Sequence, residues 1–492
     1  MSLMDETGLS ARDKPSTADL PICVDLDGTL LKIDSLQEAA SAAALKDFRV
    51  LFRVPIWLAQ GKAHLKQELA KRWSFDPAHL PYNEKLIAYL REMRAQGRRI
   101  VLVTAADRAV AEPIAEHLGL FDEVIASNGT DNLRGAKKAE VLRERFGDRG
   151  FLYAGNDHTD HAVWADAAAA IVVNASASVR RAAEARHTIA AHIDDRPMSP
   201  LRAMIKAMRP YQWVKNLLVF VPLFASGDIA DLPSWISSLF VFGGFCACAS
   251  AIYLLNDMSD LAADRMHPRN KKRPFASGAL SLATGMAVSP LLIALGLFLA
   301  WQGGALFAVI GYCVLSISYN LKLKEMPLID VFVLAALYTV RLFGGGEASG
   351  HQVSLWLLGF SSFLFLSLAL VKRASELYRL RLEKREAAAR RGYATADLEI
   401  IQMMGCAASF ASAVVLSLYI QSDAALQSYP RPALLWGVIP LMLFWQCRLW
   451  LSTARGYMHD DPIVYAARDW VSWLVIACLG GIVLAASLTI GF

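Results

Sequence analysis

The sequence predicts two domains of different fold class: an α/β domain at the amino terminus, followed by an all-α polytopic membrane domain with nine transmembrane helices. Two observations support this prediction. Of the 492 residues 55% are hydrophobic, but the apolar excess is uneven, and the first two hundred residues have the pattern of a soluble protein. From residue 211 onward, most of the chain consists of apolar stretches near the ~20 residues that a spanning helix needs.

The α/β prediction starts at residues 22–30, ICVDLDGTL, where two aspartates two positions apart follow a short apolar strand. Gly28 and Thr29 open the loop after them. In this arrangement Asp25 is placed to attack phosphorus, while Asp27 serves as the acid and base. We therefore expect the chemistry of a phosphate ester at the end of the first strand.

The string DLDGT resembles motif one of the haloacid dehalogenase (HAD) superfamily of phosphohydrolases, and further motifs follow in the expected order. These are IVLVTAAD at 100–107, NLRGAKKAEVL at 132–142 and FLYAGNDHTD at 151–160. The resemblance implies a Rossmannoid α/β fold with a helical cap at about 31–95, which would close over the substrate and exclude water. It also implies that Thr104 and Lys138 bind phosphate, with Lys137 as the alternative lysine.

The last motif departs from the HAD pattern, in which an acid that binds the metal follows the glycine directly. Here Asn156 follows Gly155, and the acids are Asp157 and Asp160. The metal is expected to be Mg²⁺, with ligands from a set of four acids: Asp25, Asp27, Asp157 and Asp160. Either Asp157 has taken over the ligand position, or metal binding is weakened and phosphatase activity is degraded.

The domain boundaries follow from changes in composition. Residues 1–20 form a polar tail without the apolar core of a signal peptide, so the HAD-like domain at 21–175 is expected to stay in the cytoplasm. Residues 176–204 form a linker whose basic amphipathic end suits a helix lying on the membrane surface. The membrane domain is assigned to 205–492.

The nine apolar stretches are interpreted as membrane spans, and Pro222 interrupts the first of them. They lie at roughly 211–227, 234–255, 282–301, 304–321, 328–346, 353–371, 400–421, 432–451 and 470–491. Lysine and arginine are concentrated in alternate loops, at 256–281, 322–327, 372–399 and 447–469. By the positive-inside rule these loops are cytoplasmic. The sequence thus predicts a multi-pass protein of a bacterial inner membrane, with both active sites facing the cytoplasm.

An acidic cluster followed by a basic cluster occupies residues 256–278, NDMSDLAADRMHPRNKKRPFASG, between two apolar stretches. On one helix, offsets of four place Asn256, Asp260 and Asp264 on one stripe, where their oxygens can face a single Mg²⁺. The basic residues that follow suit phosphate oxygens. The alternative is a solvated loop whose charges only fix orientation, but a second charged segment, YNLKLKEMPLID at 319–330, argues against it.

These two segments and the nine stretches resemble the UbiA superfamily of intramembrane prenyltransferases over residues 205–492. A narrower resemblance lies in RPYQWVKNLLVF, HPxxxxRPxASG, KRASEL and DPIVYAARDW. These strings are similar to the branch that contains decaprenyl-phosphate phosphoribosyltransferase. That branch implies two substrates, a polyprenyl phosphate as nucleophile and phosphoribosyl pyrophosphate as electrophile, with Mg²⁺ and basic side chains stabilising the growing negative charge.

The resemblance also implies roles for single residues. Metal and pyrophosphate contacts are assigned to Asn256, Asp260, Asp264 and Asp330, with Asp257 as a helper. Phosphate oxygens are assigned to a set of basic residues, each of which is alternatively a loop charge: Lys215, Arg265, Arg273, Lys322 and Lys324. The family pattern often has a second acid at the position of Leu334, so either one metal cluster serves the site or lysines replace the second metal.

Arg341 lies eleven residues beyond Asp330 and therefore faces the same way from deeper in the same predicted span. An arginine inside a membrane span is a functional candidate, and we assign it to substrate binding. The alternative is that its side chain extends to the far interface, past Gly344, Gly345 and Gly346.

Net charge and cysteine spacing exclude two classes of function. The net charge is only +5, and the basic residues gather beside apolar stretches, which is not the pattern of a nucleic-acid-binding protein. The seven cysteines show no metal-ligand spacing, so neither a zinc site nor a disulfide framework is expected.

Together the two halves predict a bifunctional membrane enzyme. The transferase would place 5-phosphoribose on a polyprenyl phosphate, and the HAD domain would remove the 5-phosphate to give a lipid-linked pentose, a precursor of arabinofuranose. One alternative is a prenyltransferase that joins a polyprenyl diphosphate to 4-hydroxybenzoate. Another is a HAD domain that only binds a phosphorylated ligand and regulates the transferase.

Overall fold

The computed structural model of the chain describes residues 19–47, 49–226, 230–384, 392–458 and 461–487. Most of the predicted polar tail, residues 1–18, lies outside this part. The described residues fall into two compact units. The first unit joins the chain up to Ala207 to the segment Asp257–Ala287, and the second comprises Met208–Asn256 and the residues from Val288 onward.

The first unit is built on a six-stranded parallel sheet, which confirms the predicted α/β class. Its strands are β1 (Ile22–Val24), β2 (Ile100–Asp107), β3 (Glu123–Ser127), β4 (Leu152–Gly155), β5 (Ala169–Val173) and β6 (Ile189–Ile193). Their order in the sheet is β3-β2-β1-β4-β5-β6. Because β1 pairs with both β2 and β4, the loops that leave these three strands lie side by side at one edge of the sheet.

The sheet is central because both of its faces are apolar. Cys23, Val101 and Val103 pack into one core cluster, whereas Ile22 and Leu102 pack into another on the opposite face. Successive residues of a strand point to opposite faces, so this alternation places a core on each side. Helices cover both faces. The helices of this α/β part are α1 (Ser35–Lys46), α2 (Val50–Ala59), α3 (Lys62–Ala70), α4 (Glu84–Ala95), α5 (Arg108–Leu118), α6 (Ala136–Phe146), α7 (His161–Asp166), α8 (Ala177–Arg186) and α9 (Pro200–Met208).

The range 31–95, predicted to form a cap, is helical and contains α1 to α4 and a short 3₁₀ helix at Pro77–His79. The range 176–204, predicted to be a linker, requires a correction. It contains α8 and β6, and β6 pairs with β5 in the sheet. The α/β fold therefore extends beyond residue 175, because the alternating pattern of the five-residue strand β6 is too short to stand out from the alanine-rich sequence around it.

The second unit is helical, as predicted. Its helices, including two that continue into the first unit, are α10 (Val221–Ser226), α11 (Leu232–Ser259), α13 (Leu282–Gln302), α14 (Leu306–Leu321), α15 (Ile329–Ser349), α16 (Leu355–Leu382), α17 (Leu398–Ile420), α18 (Asp423–Ser428), α19 (Val438–Ala454), α20 (Pro462–Arg468) and α21 (Trp470–Ser487). Helix α12 (Leu261–Met266) belongs to the first unit.

Within the described residues, seven helices are long and apolar enough to cross a membrane, so the predicted count of nine is not confirmed. Two of the predicted stretches differ from the rest. Helix α14 has only 16 residues, and the stretch at 211–227 forms a 3₁₀ helix, Pro210–Phe220, followed by the six-residue α10. Pro222 lies at this change of helix type, where it cannot donate a backbone hydrogen bond.

The acidic segment in the first unit does not form the single uninterrupted helix on which the predicted metal stripe depends. Helix α11 ends at Ser259 and α12 begins at Leu261, with Asp260 between them at φ −91° and ψ 10°. The prediction that Asp260 and Asp264 extend the stripe of α11 is therefore wrong, because it assumed one continuous helix.

Close packing of α17 on α19 gives a test of the helical unit. A Cβ atom on Gly405 would lie 1.9 Å from a ring carbon of Trp450, whereas one on Gly311 would meet nothing within 4 Å. Gly405→Ala should therefore cost about 1–3 kcal/mol through overpacking. Gly311→Ala should be neutral or stabilising by up to about 1 kcal/mol, because alanine is the better helix former. Thermal unfolding of the full chain in detergent measures both, and equal melting temperatures for the two variants would contradict this packing.

Candidate active sites

A cavity of about 470 Å³ in the first unit collects most of the residues predicted for phosphate chemistry. It opens where the loops leave β1 and β4. The predicted residues that line it are Asp25, Asp27, Lys138, Asp157 and Asp160. Three cations that the sequence analysis did not assign also line it: Lys32, Lys66 and Arg134.

Asp25 and Lys138 form a buried ion pair at the centre of this cavity. The Lys138 Nζ atom donates to Asp25 Oδ1 at 2.7 Å and to the Tyr153 hydroxyl at 2.8 Å. The backbone N–H of Asp25 donates to Ala154 O on β4 at 3.0 Å, which fixes the start of the loop. Lys138 thus neutralises the predicted nucleophile and is placed to contact a phosphoryl group that approaches it.

Asp27 is held next to Asp25 by a backbone contact, since the Ser35 N–H donates to its Oδ1 at 2.7 Å. Burial, together with the negative charges of Asp34 and Asp25, raises the pKa of Asp27 to about 7. A carboxyl group with a pKa near neutrality can both give and take a proton at physiological pH. This environment suits the acid and base role predicted for Asp27.

The loop after β4 brings Asn156 and Asp157 to the cavity, and Asp160 holds that loop in place. Asp160 Oδ2 accepts the N–H groups of Asn156 and Asp157 at 2.8 and 2.9 Å, and its Oδ1 accepts the Tyr153 hydroxyl at 3.1 Å. Burial and the charge of Asp25 raise the pKa of Asp160 to about 6. Both oxygens of Asp160 accept bonds from the protein, so Asp160 positions the loop. The Asp157 carboxylate accepts the His158 N–H at 2.6 Å and the Asp160 backbone N–H in a capping box.

Asn156 packs directly on the tight turn that follows the two aspartates. Gly28 has a φ of +73°, and a Cβ atom there would lie 2.2 Å from Asn156 Nδ2. The Thr29 hydroxyl donates to Asn156 Oδ1 at 3.2 Å. Asn156, which stands where the HAD pattern has an acid, therefore lies against the first motif. A metal ligand would be needed at this position.

Thr104 does not line the cavity. Its side chain is fully buried, and its hydroxyl accepts the Ala106 N–H at 2.9 Å. Lys66, from α3 in the predicted cap, lies nearby instead and donates to Ala105 O at 2.5 Å and to Asn132 Oδ1 at 2.9 Å. Burial lowers the pKa of Lys66. Lys66 lies between Leu65 and Leu69 on a helix, and this local pattern carries no signal of the cavity.

Two of the three acids in the segment Asp257–Ala287 are paired with a basic residue of the same segment. Arg273 Nη1 donates to Asp264 Oδ2 at 2.7 Å and to Asp257 Oδ1 at 3.1 Å, and Asn270 Nδ2 donates to Asp264 Oδ1 at 2.8 Å. Burial raises the pKa of Asp264, although Arg273 opposes this. Arg273 and Asp264, predicted to act on phosphate and on a metal, therefore contact each other, while Asp260 is only half-buried.

Asp330 in the second unit has its carboxylate fully buried and occupied by protein groups. Arg373 donates to one oxygen, and the Tyr393 hydroxyl donates to the other at 2.6 Å. Arg373 belongs to the KRASEL string and also contacts Glu376. In this arrangement Asp330 forms a buried ion pair, so a metal ligand role would require its partners to move.

Lys215 and Arg341, predicted to bind substrate, belong to one buried network in the second unit. Lys215 Nζ donates to Asp461 Oδ2 at 2.7 Å, and Lys372 lies 3.8 Å from the same oxygen. Burial acts to raise the pKa of Asp461, but the charges of Lys215 and Lys372 outweigh it, so its pKa is lowered overall. Arg341 Nε donates to Asn216 Oδ1 at 2.7 Å. Three cations and one carboxylate give this network a net positive charge, which suits an anionic ligand.

Arg341 does not extend its side chain along α15 towards Gly344, Gly345 and Gly346. Its side chain also donates to the carbonyl of Leu337, one turn nearer the start of α15, and its guanidinium lies 4.7 Å from the centre of the Tyr312 ring. It is 4% exposed. Lys322, by contrast, is a surface residue whose Nζ lies 3.5 Å from Glu325, and Lys324 is half-buried.

Two family models match the chain, one on each half. Residues 22–165 match the haloacid dehalogenase-like hydrolase model, and residues 217–459 match the UbiA prenyltransferase family model. The "Uncharacterized protein y4nM" of Sinorhizobium fredii is 35% identical over 94% of this chain and 90% of its own length. The "Nodulation protein NoeC" of Azorhizobium caulinodans is 37% identical over 58% of this chain and 92% of its own length.

The chain belongs to the UbiA prenyltransferase family. It carries this domain in fusion with a HAD-family domain and is therefore an enzyme of the transferase class. The "Decaprenyl-phosphate phosphoribosyltransferase" of Corynebacterium glutamicum is 43% identical over 37% of this chain and 56% of that protein. The predicted recognition of both families is thereby confirmed.

Both families are Mg²⁺-dependent in general, and the oxygen donors of the HAD-family cavity fit that ion. Asp25, Asp27 and Asp157 line one cavity, and Mg²⁺ commonly takes one or two carboxylates, substrate phosphate and water. Among the described residues no group of three or more histidine, cysteine or acidic side chains is close enough to hold a metal alone. The carboxylates of Asp25, Asp27 and Asp157 would hold Mg²⁺ together with oxygens of the substrate phosphate and water.

Interconverting the acid and the amide at Asp157 and Asn156 tests the metal site. Asp157→Asn should raise the Mg²⁺ concentration for half-maximal hydrolysis of p-nitrophenyl phosphate about tenfold or more, because a charged oxygen donor is lost. Asn156→Asp should lower it, because it places a carboxylate against the Gly28 turn. Titrating Mg²⁺ with each purified full-length variant measures both, and an unchanged requirement in Asp157→Asn would assign the ligand elsewhere.

The Lys215–Asp461 pair gives a separate prediction for the UbiA domain. Lys215→Met leaves a buried carboxylate without its main partner and should cost about 3–5 kcal/mol, whereas Lys322→Met on the surface should cost less than about 1 kcal/mol. Adding Asp461→Asn to Lys215→Met should recover part of the loss, because the unpaired charge is removed. Thermal unfolding in detergent measures all three variants, and a double variant no more stable than Lys215→Met would contradict the pairing.

Proposed function

We propose that the chain is a bifunctional membrane enzyme that transfers 5-phosphoribose from phosphoribosyl pyrophosphate to a polyprenyl phosphate and then removes the 5-phosphate. The observation that supports this most is the cavity of the HAD-family domain, which is lined by a buried nucleophile candidate and several cations. This domain is fused to a UbiA-family domain. The product would be a lipid-linked pentose, a precursor of arabinofuranose for the cell surface. We place both reactions on the cytoplasmic side of a bacterial inner membrane.

In the transfer step a phosphate oxygen of the lipid attacks C1 of the ribose. The bond between C1 and the pyrophosphate oxygen breaks, and pyrophosphate leaves with the electron pair. The net positive network of Lys215, Arg341 and Lys372 is suited to hold one of the anionic groups. Mg²⁺, when bound at the acidic positions, would neutralise charge that develops on the leaving group.

The acidic positions assigned to this step are Asn256, Asp260, Asp264 and Asp330, with Asp257 as a helper. Asp264 and Asp257 share Arg273, and Asp330 is paired with Arg373. Substrate pyrophosphate is a stronger partner for these arginines than a single carboxylate, because it offers several charged oxygens. We therefore propose that substrate binding draws Arg273 to phosphate and frees Asp264 for a metal.

In the hydrolytic step the Asp25 carboxylate attacks the phosphorus of the 5-phosphate. The bond between phosphorus and the sugar oxygen breaks, and Asp27 donates a proton to that oxygen. Water, activated by the same Asp27 carboxylate, then attacks phosphorus and releases inorganic phosphate and free Asp25. Lys138, Lys66 and Arg134 line the cavity with positive charge for the phosphoryl oxygens.

One incubation separates the two steps. Membranes that contain the full chain receive Mg²⁺, labelled phosphoribosyl pyrophosphate and decaprenyl phosphate, and the lipid products are resolved with and without the 5-phosphate. Asp25→Asn should accumulate the phosphorylated lipid, because transfer continues while the nucleophile is lost. Asp260→Ala should reduce labelled lipid at least about tenfold. Asp131→Asn, a change of the same kind at an exposed acid, serves as the control and should match the wild type.

Other results would favour the alternatives. A wild type that makes no ribosylated lipid but joins a polyprenyl diphosphate to 4-hydroxybenzoate would be an aromatic prenyltransferase. If the wild type keeps the 5-phosphate on its product and Asp25→Asn does the same, the HAD-family domain has no phosphatase role and regulates the transferase instead.

A further inference from the structure

The segment Asp257–Ala287 packs with the α/β domain as part of one compact unit. The main contact is a bidentate ion pair between Arg265 of α12 and Glu38 of α1. Arg265 Nη2 donates to Glu38 Oε1 at 2.6 Å, and Nη1 donates to Oε2 at 2.9 Å. Only 8% and 6% of the two side chains are exposed. Arg265, which the sequence assigned to substrate phosphate, is thus occupied by a residue of the HAD-family cap region.

The Arg265 side chain also fixes the second half of the segment. Its Nε donates to Ala276 O at 3.4 Å, and Ala276 and its neighbour Phe275 are buried. Two residues further on, Gly278 adopts a φ of +72°, and a Cβ atom there would lie 2.9 Å from Lys32 Cβ. The backbone of the segment therefore approaches the loop after β1 more closely than a larger residue would allow.

This approach places the segment in the wall of the phosphatase cavity. Gly278, Ser281 and Leu282 line the cavity together with Asp25 and Lys138. The first three residues belong to the range matched by the UbiA model, 217–459, and the last two to the range matched by the HAD model, 22–165. One cavity is thus lined by residues from both families.

We infer that the cavity is a composite substrate site, in which the segment docked by Glu38 and Arg265 forms the wall that selects a phosphomonoester attached to a lipid. Leu282 supports this ligand class, because it both lines the cavity and begins α13, a candidate membrane span. A substrate that enters along this wall passes residues continuous with an apolar helix. Glu38 also lines the cavity, and the role inferred for the pair is to position the wall.

The inference rests on the proposed function for its substrate, and its test therefore separates docking from substrate choice. Glu38→Gln and Arg265→Gln each leave one buried partner without its counter-charge, and the exchange Glu38→Arg with Arg265→Glu restores opposite charges. The control is Glu112→Gln, which breaks an exposed pair with Arg108 in the same α/β domain. All variants are made in the full chain.

Docking is measured by hydrogen exchange of peptides that cover residues 261–281. Both single variants should exchange these amides at least tenfold faster than wild type, the charge exchange should restore protection, and Glu112→Gln should match wild type. Unchanged protection in both single variants would overturn the docking. This readout requires no enzymatic activity, so it stands even if the proposed substrates are wrong.

Substrate selection is measured as the ratio of kcat/KM for the phosphoribosylated lipid to kcat/KM for p-nitrophenyl phosphate. The single variants should lower this ratio at least tenfold and the charge exchange should raise it again, because the small ester does not need the wall. A ratio equal to that of wild type, in variants whose segment exchanges faster, would overturn the selective role. A wild type that hydrolyses p-nitrophenyl phosphate but not the lipid would refute the proposed substrate and leave the docking result in force.

Discussion

The pairing of buried charges is the constraint on which both candidate sites depend. A charge removed from water is costly unless a partner is fixed beside it. Lys138 meets Asp25 across 113 residues of sequence, and Lys215 meets Asp461 across 246. Because the partners come from distant parts of the chain, each pair depends on the elements that bring those parts together. Each pair also holds a lysine at a place where a substrate phosphate can replace the carboxylate as its partner.

Local patterns were enough to predict the α/β fold and the centre of its cavity. An apolar strand followed by Asp25 and Asp27 identifies a loop at the edge of a parallel sheet, and the pairing of β1 with β2 and β4 brings the other motif loops beside it. Thr104 lies on β2, but its hydroxyl accepts the Ala106 amide inside the fold, which the motif alone does not show. Lys66 was missed because a lysine between two leucines of a helix gives no local sign of the strand it will contact.

In the acidic segments of the transferase half, by contrast, local patterns did not predict the structure. Spacing alone suggested one helical stripe from Asn256 to Asp264, but a stripe requires continuous helix, and the chain leaves α-helical geometry at Asp260. Spacing also cannot show that Arg373 will face Asp330 or that Arg273 will face Asp264. Hydropathy likewise predicts apolar length well, but the residues around Pro222 show that an apolar stretch of suitable length does not always form one long helix.

The first compact unit is discontinuous in sequence, since its last thirty or so residues return after an excursion of the chain through Met208–Asn256. Such an arrangement has a consequence for inheritance. A gene that broke at residue 207 would yield a hydrolase without Gly278, Ser281 and Leu282, and a break after residue 287 would truncate the helical part within α13. No single cut yields two intact products. A gene split at either point would separate parts of one compact unit.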